Sequence, residues 1–259
     1  MIIYEKASPS DFLQLKALWK EVFDEEEPFL ELFFAKRIFF DHIFLAREGN
    51  NILGALHALP SSYHYQGTSY PCSYIVGAAT AKEYRGRGVM GALLKKTIES
   101  YTHPVTLFPA VRPYYAKRGF LTTSTTLNYP LIHPRGNSVD SISLEDGHLN
   151  QIYIEATKEV GALERDAQAW QFLKMGYEAI GVKDGYALLL GDKAVEAMAL
   201  TKEGAQNLLT LLHQKGIKSI QLLEESPILP LLLANDATII PMGMSSSPSM
   251  EGIYIAEQY

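Results

Sequence analysis

The residues best suited to chemistry form one short run, Tyr84-Arg85-Gly86-Arg87-Gly88-Val89-Met90-Gly91. Glycine has no Cβ, so Gly86, Gly88 and Gly91 let backbone approach a ligand closely. The run falls where the hydrophobic pattern changes from strand to helix. Unpaired N–H groups at a helix start, with the positive end of its dipole, suit a pyrophosphate. Arg85 and Arg87 add positive charge and donors for phosphate oxygens. A tight turn carrying a solvated arginine pair uses the same residues, so the glycines alone do not separate binding from structure. No Gly-Lys-Ser/Thr ends the run, which excludes a P-loop. Gly86-Arg87-Gly88-Val89-Met90-Gly91 meets the dinucleotide pattern Gly-x-Gly-x-x-Gly in form. Antiparallel hairpins rather than a βαβ unit precede it, and that argues against a Rossmann site.

Several elements must position this run. Ile2 to Glu5 reads as a strand. Ser8-Pro9-Ser10-Asp11 reads as a helix start, with Ser8 as cap, Pro9 at the first helical position and Asp11 at the positive dipole end. Phe12, Leu15, Trp19 and Val22 then recur at helical spacing. Asp24 to Pro28 breaks that helix, and a second is predicted over Phe29 to Ile38. Strands follow at His42 to Arg47 and Ile52 to Leu59, joined through Gly49-Asn50-Asn51. Another pair is predicted at Tyr63 to Gly67 and Tyr70 to Thr80. Val89 to Tyr101 reads as a helix, Val105 to Phe108 as a buried strand, and Pro113 to Arg118 as a short helix ended by Gly119. The predicted order is β-α-α-β-β-β-α-β-α.

His133 to Ser138 is rich in loop formers and is the expected domain junction. Beyond it, helices are predicted at Leu149 to Val160 and Arg165 to Met175, and a hairpin at Tyr186 to Leu190 and Val195 to Leu200. A helix at Glu203 to Lys215, a strand at Ile217 to Leu223, a helix at Pro227 to Leu233 and a strand at Ile253 to Ala256 complete the second half. Ser245 to Ser249 reads as a loop. The second half repeats the hairpin–helix–strand–helix order of the first, without a residue-level repeat.

Arg85-x-x-Gly88-x-Met90 resembles the Arg/Gln-x-x-Gly-x-Gly/Ala motif of the GCN5-related N-acetyltransferase (GNAT) family, with Met90 in place of the small residue and Gly91 just after it. Tyr114-Tyr115-Ala116-Lys117-Arg118-Gly119-Phe120 resembles the family's aromatic-Tyr-x-Lys-x-Gly-Phe segment. Leu107-x-Pro109 before Tyr114-Tyr115 resembles the Eis-type multidomain branch, which acetylates amines. That branch normally ends in a sterol-carrier-like domain, for which this chain is too short. The resemblance implies an α/β (α+β) fold of two GNAT-like domains, each a mixed, mostly antiparallel sheet flanked by helices. The expected domains are residues 1–132, binding acetyl-CoA, and 133–259, a degenerate copy that shapes an acceptor cleft.

The resemblance further implies that backbone groups of Ala78, Ala79 and Thr80 bind the pantetheine arm. It assigns Arg85, Gly86, Arg87, Gly88, Val89, Met90 and Gly91 to the pyrophosphate, and gives the Tyr115 phenol the task of protonating the departing CoA thiolate. The implied activity is transfer of an acetyl group from acetyl-CoA to a primary amine of a small molecule or peptide. The alternative is an acyl-CoA sensor with little turnover. No general base is named. Glu25, Glu26 and Glu27 could hold a cationic amine but also read as a solvated loop, and His57, Trp19 and Trp170 read as structural.

Composition bounds these readings. The chain has 259 residues, 47% hydrophobic and 20% charged, which is ordinary for globular protein and long enough for two domains. Its net charge of −6 opposes a nucleic-acid partner, and with it an aminoacyl-transfer enzyme that binds charged tRNA. One cysteine, Cys72, cannot make an internal disulfide, and seven histidines show no metal-ligand spacing. No targeting segment or membrane span is read, so the expected location is cytoplasmic, with no membrane partner and no metal. A homo-oligomer is compatible with the sequence and not specified by it.

Overall fold

Ser8 and Asp11 close the start of the first helix on each other. The Ser8 N–H donates to the Asp11 carboxylate at 2.8 Å and its hydroxyl donates at 3.0 Å. Burial alone would raise the Asp11 carboxyl, but the Ser8 amide and the Arg47 guanidinium, 2.7 Å away, hold it below its ordinary value. A 3₁₀ turn at Pro9–Asp11 leads into the helix.

The structure, a computed structural model, describes residues 1–132, 138–233 and 236–258. The expected junction at 133–138 lies outside them except for Ser138. The elements in chain order begin with β1 (Ile3–Lys6), α1 (Phe12–Phe23), α2 (Glu27–Lys36), β2 (Ile43–Glu48), β3 (Asn51–Tyr65) and β4 (Thr68–Thr80). They continue with α3 (Val89–Glu99), β5 (Val105–Leu107), α4 (Arg112–Ala116), β6 (Leu121–Thr122) and β7 (Thr125–Pro130). Next come α5 (Asp146–Ala156), β8 (Ala162–Leu163), α6 (Ala167–Gly176), β9 (Glu178–Val182), β10 (Gly185–Leu190) and β11 (Lys193–Ala199). The last are α7 (Lys202–Gln214), β12 (Ser219–Leu222), β13 (Thr238–Pro241) and β14 (Met244–Ser245). Among the described residues no helix is long and apolar enough to cross a membrane.

Two compact units result. One holds Met1–Tyr63, Ser69–Thr123 and Gly243–Glu251; the other holds His64–Thr68, Ser124–Met242 and Gly252–Tyr259. The sheet of the first unit runs β1-β2-β3-β4-β5-β14-β6, and that of the second runs β13-β7-β12-β11-β10-β9. Both are mostly antiparallel with one parallel step, β4 with β5 and β11 with β12, as βαβ crossovers through α3 and α7 require. The α/β fold expected from the sequence is therefore present, with helices flanking each sheet.

The first core packs Phe44, Leu53, Leu56, Leu93 and Leu107 together with Met244, which arrives from the far end of the chain. β14 pairs antiparallel with β5 and β6 and supplies what short β5 lacks. Thr106 Oγ1 donates to the Met244 carbonyl at 2.7 Å, and the Val105 N–H donates to Ser246 Oγ at 3.0 Å. The segment expected to be a loop is thus a strand in part. Two residues are too few for a pattern of period two to register.

Three other expectations change. The strands expected at 52–59 and 63–67 are one 15-residue strand, β3, because Pro60 is exposed and need donate no ladder bond there. The helix expected at 227–233 is only a 3₁₀ turn at Leu229–Leu231, since Pro230 removes a helical donor. The strand expected at 253–256 makes one bridge, Ala162 with Tyr254.

The second unit has its own apolar core, around Ile180, Ala187, Leu208, Leu212 and Ile220. Beside it lies a buried charge cluster. Arg165 donates twice to Glu196, at 2.7 Å from each nitrogen, and through Nε to Glu257 at 2.8 Å. Tyr186 and Tyr254 donate to the same Glu196 at 2.7 and 2.9 Å. The Arg165 guanidinium also lies 3.9 Å from the Tyr153 ring centre. Burial pushes both carboxyls up. Arg165 nevertheless brings Glu196 below its ordinary value, whereas Glu257 stays above.

Removing one member of such a set leaves an uncompensated charge. Arg165→Met should therefore destabilise the protein by ~3–5 kcal/mol, read from the urea midpoint. Arg165→Lys, which keeps the charge but not the fork, should fall between. An unchanged midpoint in Arg165→Met would contradict the account.

Candidate active site

β4 pairs in parallel with β5 over Ser73–Ile75 and Val105–Leu107. Two residues further, Gly77 takes φ +58°, a left-handed conformation that favours glycine. A Cβ there would fall on the Trp19 indole, so glycine is required for space as well as for conformation. Past this kink Ala78 and Thr80 face an opening. Ala79 is fully buried on the other side, where the missing Cβ of Gly54 lets the Ala79 carbonyl approach.

The chain leaves β4 through a 3₁₀ turn at Lys82–Tyr84 and enters α3 through Gly86 (φ +76°) and Gly88 (φ +80°). Gly88 is the N-cap, and no side chain caps the helix. The first bond inside the helix runs from the Ala92 N–H to the Gly88 carbonyl at 3.1 Å. The N–H groups of Val89, Met90 and Gly91 precede it and have no partner within the helix. Arg85 Nε donates to the Thr80 carbonyl at 3.2 Å, and Arg87 lies 5.1 Å from the Tyr84 ring centre. Arg118 rests against Gly91, where a Cβ would meet its Nε at 3.0 Å. It sits 3.6 Å from the Tyr114 ring centre and donates to the Tyr114 carbonyl at 2.7 Å.

These pieces enclose a cleft of about 490 Å³. Of the residues singled out from the sequence, Ala78, Thr80, Arg85, Gly86, Gly88, Val89, Met90 and Tyr115 line it. Ala79, Arg87 and Gly91 do not; they lie beneath the strand, over Tyr84 and against Arg118 respectively. Val22, Val111 and Arg118 line the cleft without having been singled out. Arg118 stands inside the second motif and could have been found there. Val22 lies on the apolar face of α1, where nothing in the pattern distinguishes cleft from core.

Burial raises the Tyr115 phenol above its ordinary value, and neighbouring Tyr114 adds to this while Arg118 opposes it. The phenol therefore remains protonated at neutral pH and can donate. Glu25, three residues past Val22, is raised by partial burial. Glu27 is instead engaged by Lys20 and Lys16, at 3.1 and 3.2 Å.

Under the cleft floor Trp19 Nε1 donates to His57 Nε2 at 3.0 Å. His57 is wholly buried, and desolvation lowers it to about 3. Cys72 is buried in β4. Among the described residues no group of three or more His, Cys, Asp or Glu is placed to hold a metal.

The matching step of the second unit, from β11 into α7, is finished differently. Thr201 Oγ1 accepts from the Gly204 N–H at 3.0 Å and so caps its own helix. A Cβ at Gly204 would meet the Asp184 carbonyl at 2.8 Å.

Comparison with known proteins agrees with this layout. Residues 4–122 match the family model described as an acetyltransferase (GNAT) domain. A structure from Enterococcus faecalis, described as "Probable N-Acyltransferase", superposes with a TM-score of 0.75 at 19% identity over 95% of this chain and 72% of that one. A GCN5-related N-acetyltransferase from Anabaena variabilis gives 0.73 at 22% identity over 95% and 72%. Eis1 from Mycobacterium abscessus gives 0.67 at 14% identity over 95% and 73%. At these identities the structures establish a shared fold. No curated protein matches the sequence. Residues 4–122 thus carry the match to the GNAT acetyltransferase family, and the solved structures share the fold of the whole chain.

His57 ties acid stability to this site. Its folded-state value lies below the unfolded 6.5, so the unfolded chain binds more protons between pH 6.5 and 3. Its contribution is complete above pH 6.5 and is lost as pH falls toward 3. His57→Gln should flatten the decline by about 1.4 kcal/mol per pH unit within that window, measured by urea unfolding at pH 7 and pH 5. Parallel declines in the two proteins would refute it.

Proposed function

We propose that this protein is an N-acetyltransferase that moves the acetyl group of acetyl-CoA to a primary amine of a small molecule or peptide. The observation that carries this reading is the meeting in one cleft of an uncapped helix start, a cationic side chain and a protonated phenol, beside the stretch of β4 that runs past its pairing with β5. The amides at the α3 start, at Val89 and Met90, with Arg85 take the pyrophosphate. Backbone groups of Ala78 to Thr80 pair with the pantetheine arm, as a further strand would. The small side chain of Ala78 permits that approach. We assign the cosubstrate to the first unit, because the α7 start is capped by Thr201.

In the reaction the amine nitrogen attacks the thioester carbonyl carbon and the carbon–sulfur bond breaks. The amide forms, the sulfur leaves as thiolate, and the Tyr115 hydroxyl donates a hydrogen bond and then its proton to it. The amine gives up its own proton to water.

Two outcomes are expected. Calorimetric titration with acetyl-CoA should give micromolar binding, weakened ~10-fold in an Arg85→Ala variant, since a charge-assisted contact is lost. Tyr115→Phe should lower kcat ~100-fold while leaving CoA affinity nearly unchanged. Folded wild-type protein that binds no acetyl-CoA, or a Phe variant of undiminished turnover, would sink the respective assignments.

A further inference from the structure

We infer that Trp19, oriented by His57, is a positioning residue for acyl transfer, because α1 grips both ends of the half-buried stretch from Gly77 in β4 to Lys82. This deepens the acetyltransferase reading and rests on it. The first grip is at Gly77. The Trp19 indole occupies the space in which a side chain at 77 would stand. β4 therefore cannot relax toward ordinary strand geometry without moving the ring. The second grip is at Lys82, whose N–H donates to Glu21 Oε1 at 2.9 Å. Trp19 and Glu21 thus bracket Gly77 to Lys82, the stretch that contains Ala78, Ala79 and Thr80. Val22, the next residue of α1, lines the cleft itself.

The indole can serve as a stop only if its rotation is fixed. His57 on β3 supplies that through the 3.0 Å bond from Trp19 Nε1. His57 must offer Nε2 as an acceptor, so the ring is neutral and carries its proton on Nδ1. Phe33 and Phe34 of α2 flank the pair, with ring centres 4.4 and 5.7 Å from that of Trp19. They leave the indole little room to turn. Both members of the pair are buried and neither lines the cleft. Their influence on chemistry passes through the backbone of residues 77–80. The phosphate loop from Arg85 onward lies outside the bracket, so the two ends of the cofactor should respond differently.

The test uses the full chain and begins with wild type. Its binding of acetyl-CoA and of CoA is titrated, and thiol release is followed with spermidine and with Nα-acetyl-lysine amide. If it acetylates neither, slow thiol release to water serves as the rate. Trp19→Phe, which removes the donor and shortens the ring, should lower that rate ~10–100-fold, with CoA affinity held within about threefold, as expected for a small misplacement of reacting groups. His57→Leu should fall similarly, and the double variant little further, because the two act as one unit. His57→Gln keeps an acceptor for the indole and should recover much of the loss. A merely structural pair would lower the melting temperature of all these variants without separating rate from CoA affinity. Folded Trp19→Phe with a rate within about twofold of wild type would overturn the inference. Should Trp19→Phe not fold, equal rates for His57→Leu and His57→Gln would do so instead. Wild type that binds no acetyl-CoA would remove the acetyltransferase reading itself, a distinct result.

Discussion

Backbone N–H and C=O groups cannot be left dry and unpaired, and the architecture of the first unit follows from where that rule is relaxed. β4 and β5 stay together only as far as Ile75 and Leu107. β5 ends at that register, whereas β4 runs on through the kink of Gly77 to Thr80. The neighbouring choices all suit a partner that is not protein. Ala78 and Thr80 are small, the α3 start has a glycine for a cap, and the arginines stand at its mouth. The second unit finishes a similar topology differently. Its parallel pairing is confined to Lys193–Ala194 with Ser219–Ile220, yet α7 is closed by its own Thr201. A hydroxyl placed at the N-cap satisfies one of the amides that a phosphate would otherwise engage.

The cleft-bearing sheet is not built from one stretch of sequence. β5 has three residues, and its outer neighbour is β14, more than a hundred positions later. Val105, Thr106 and Leu107 precede the α4 segment that carries Tyr115, and they are fastened by Met244 and Ser246. The geometry between β4 and Tyr115 therefore depends on residues that a division of the chain at its loop-rich middle would remove. After β14 the chain returns to the second unit, where Glu257 reaches the buried Arg165.

What the sequence disclosed depended on range. The Ser8 to Asp11 start, the α1 face, the Gly/Arg run and the α3 helix are all local, and each was readable from spacing. The Tyr114 to Phe120 segment was legible through its resemblance to a family motif rather than from spacing. Pairings across long separations left no such trace. Trp19 and His57 are 38 positions apart. Each alone reads as core, and both are buried. Only their shared hydrogen bond and the kink at Gly77 give them a further meaning. β14 was hidden for a second reason: with two residues, it owes its strand state to β5 and β6 rather than to any preference of its own. Val22 was hidden because an apolar helix face looks the same whether it meets a core or a ligand.

In the proposed reaction the state of Tyr115 bears on how the thioester would be cleaved. A phenol raised above its ordinary value is a weaker acid than the thiol it would form, since a thiol ordinarily titrates near 8.5. Full transfer to the sulfur is therefore uphill even for the free thiolate, and it is drawn to completion only as the phenolate recovers a proton from water. Before that point the hydroxyl acts as a donor aimed at charge still developing, and a half-dry site strengthens such a bond relative to water. The same burial that weakens the acid thus improves its electrostatic service. Arg118, drawn against the Tyr114 ring and opposing the rise at Tyr115, limits how far the compromise goes. Its position, bonded to the Tyr114 carbonyl and fitted against Gly91, joins the Gly/Arg loop to the segment that carries Tyr115. A side chain at 91 would disturb both at once.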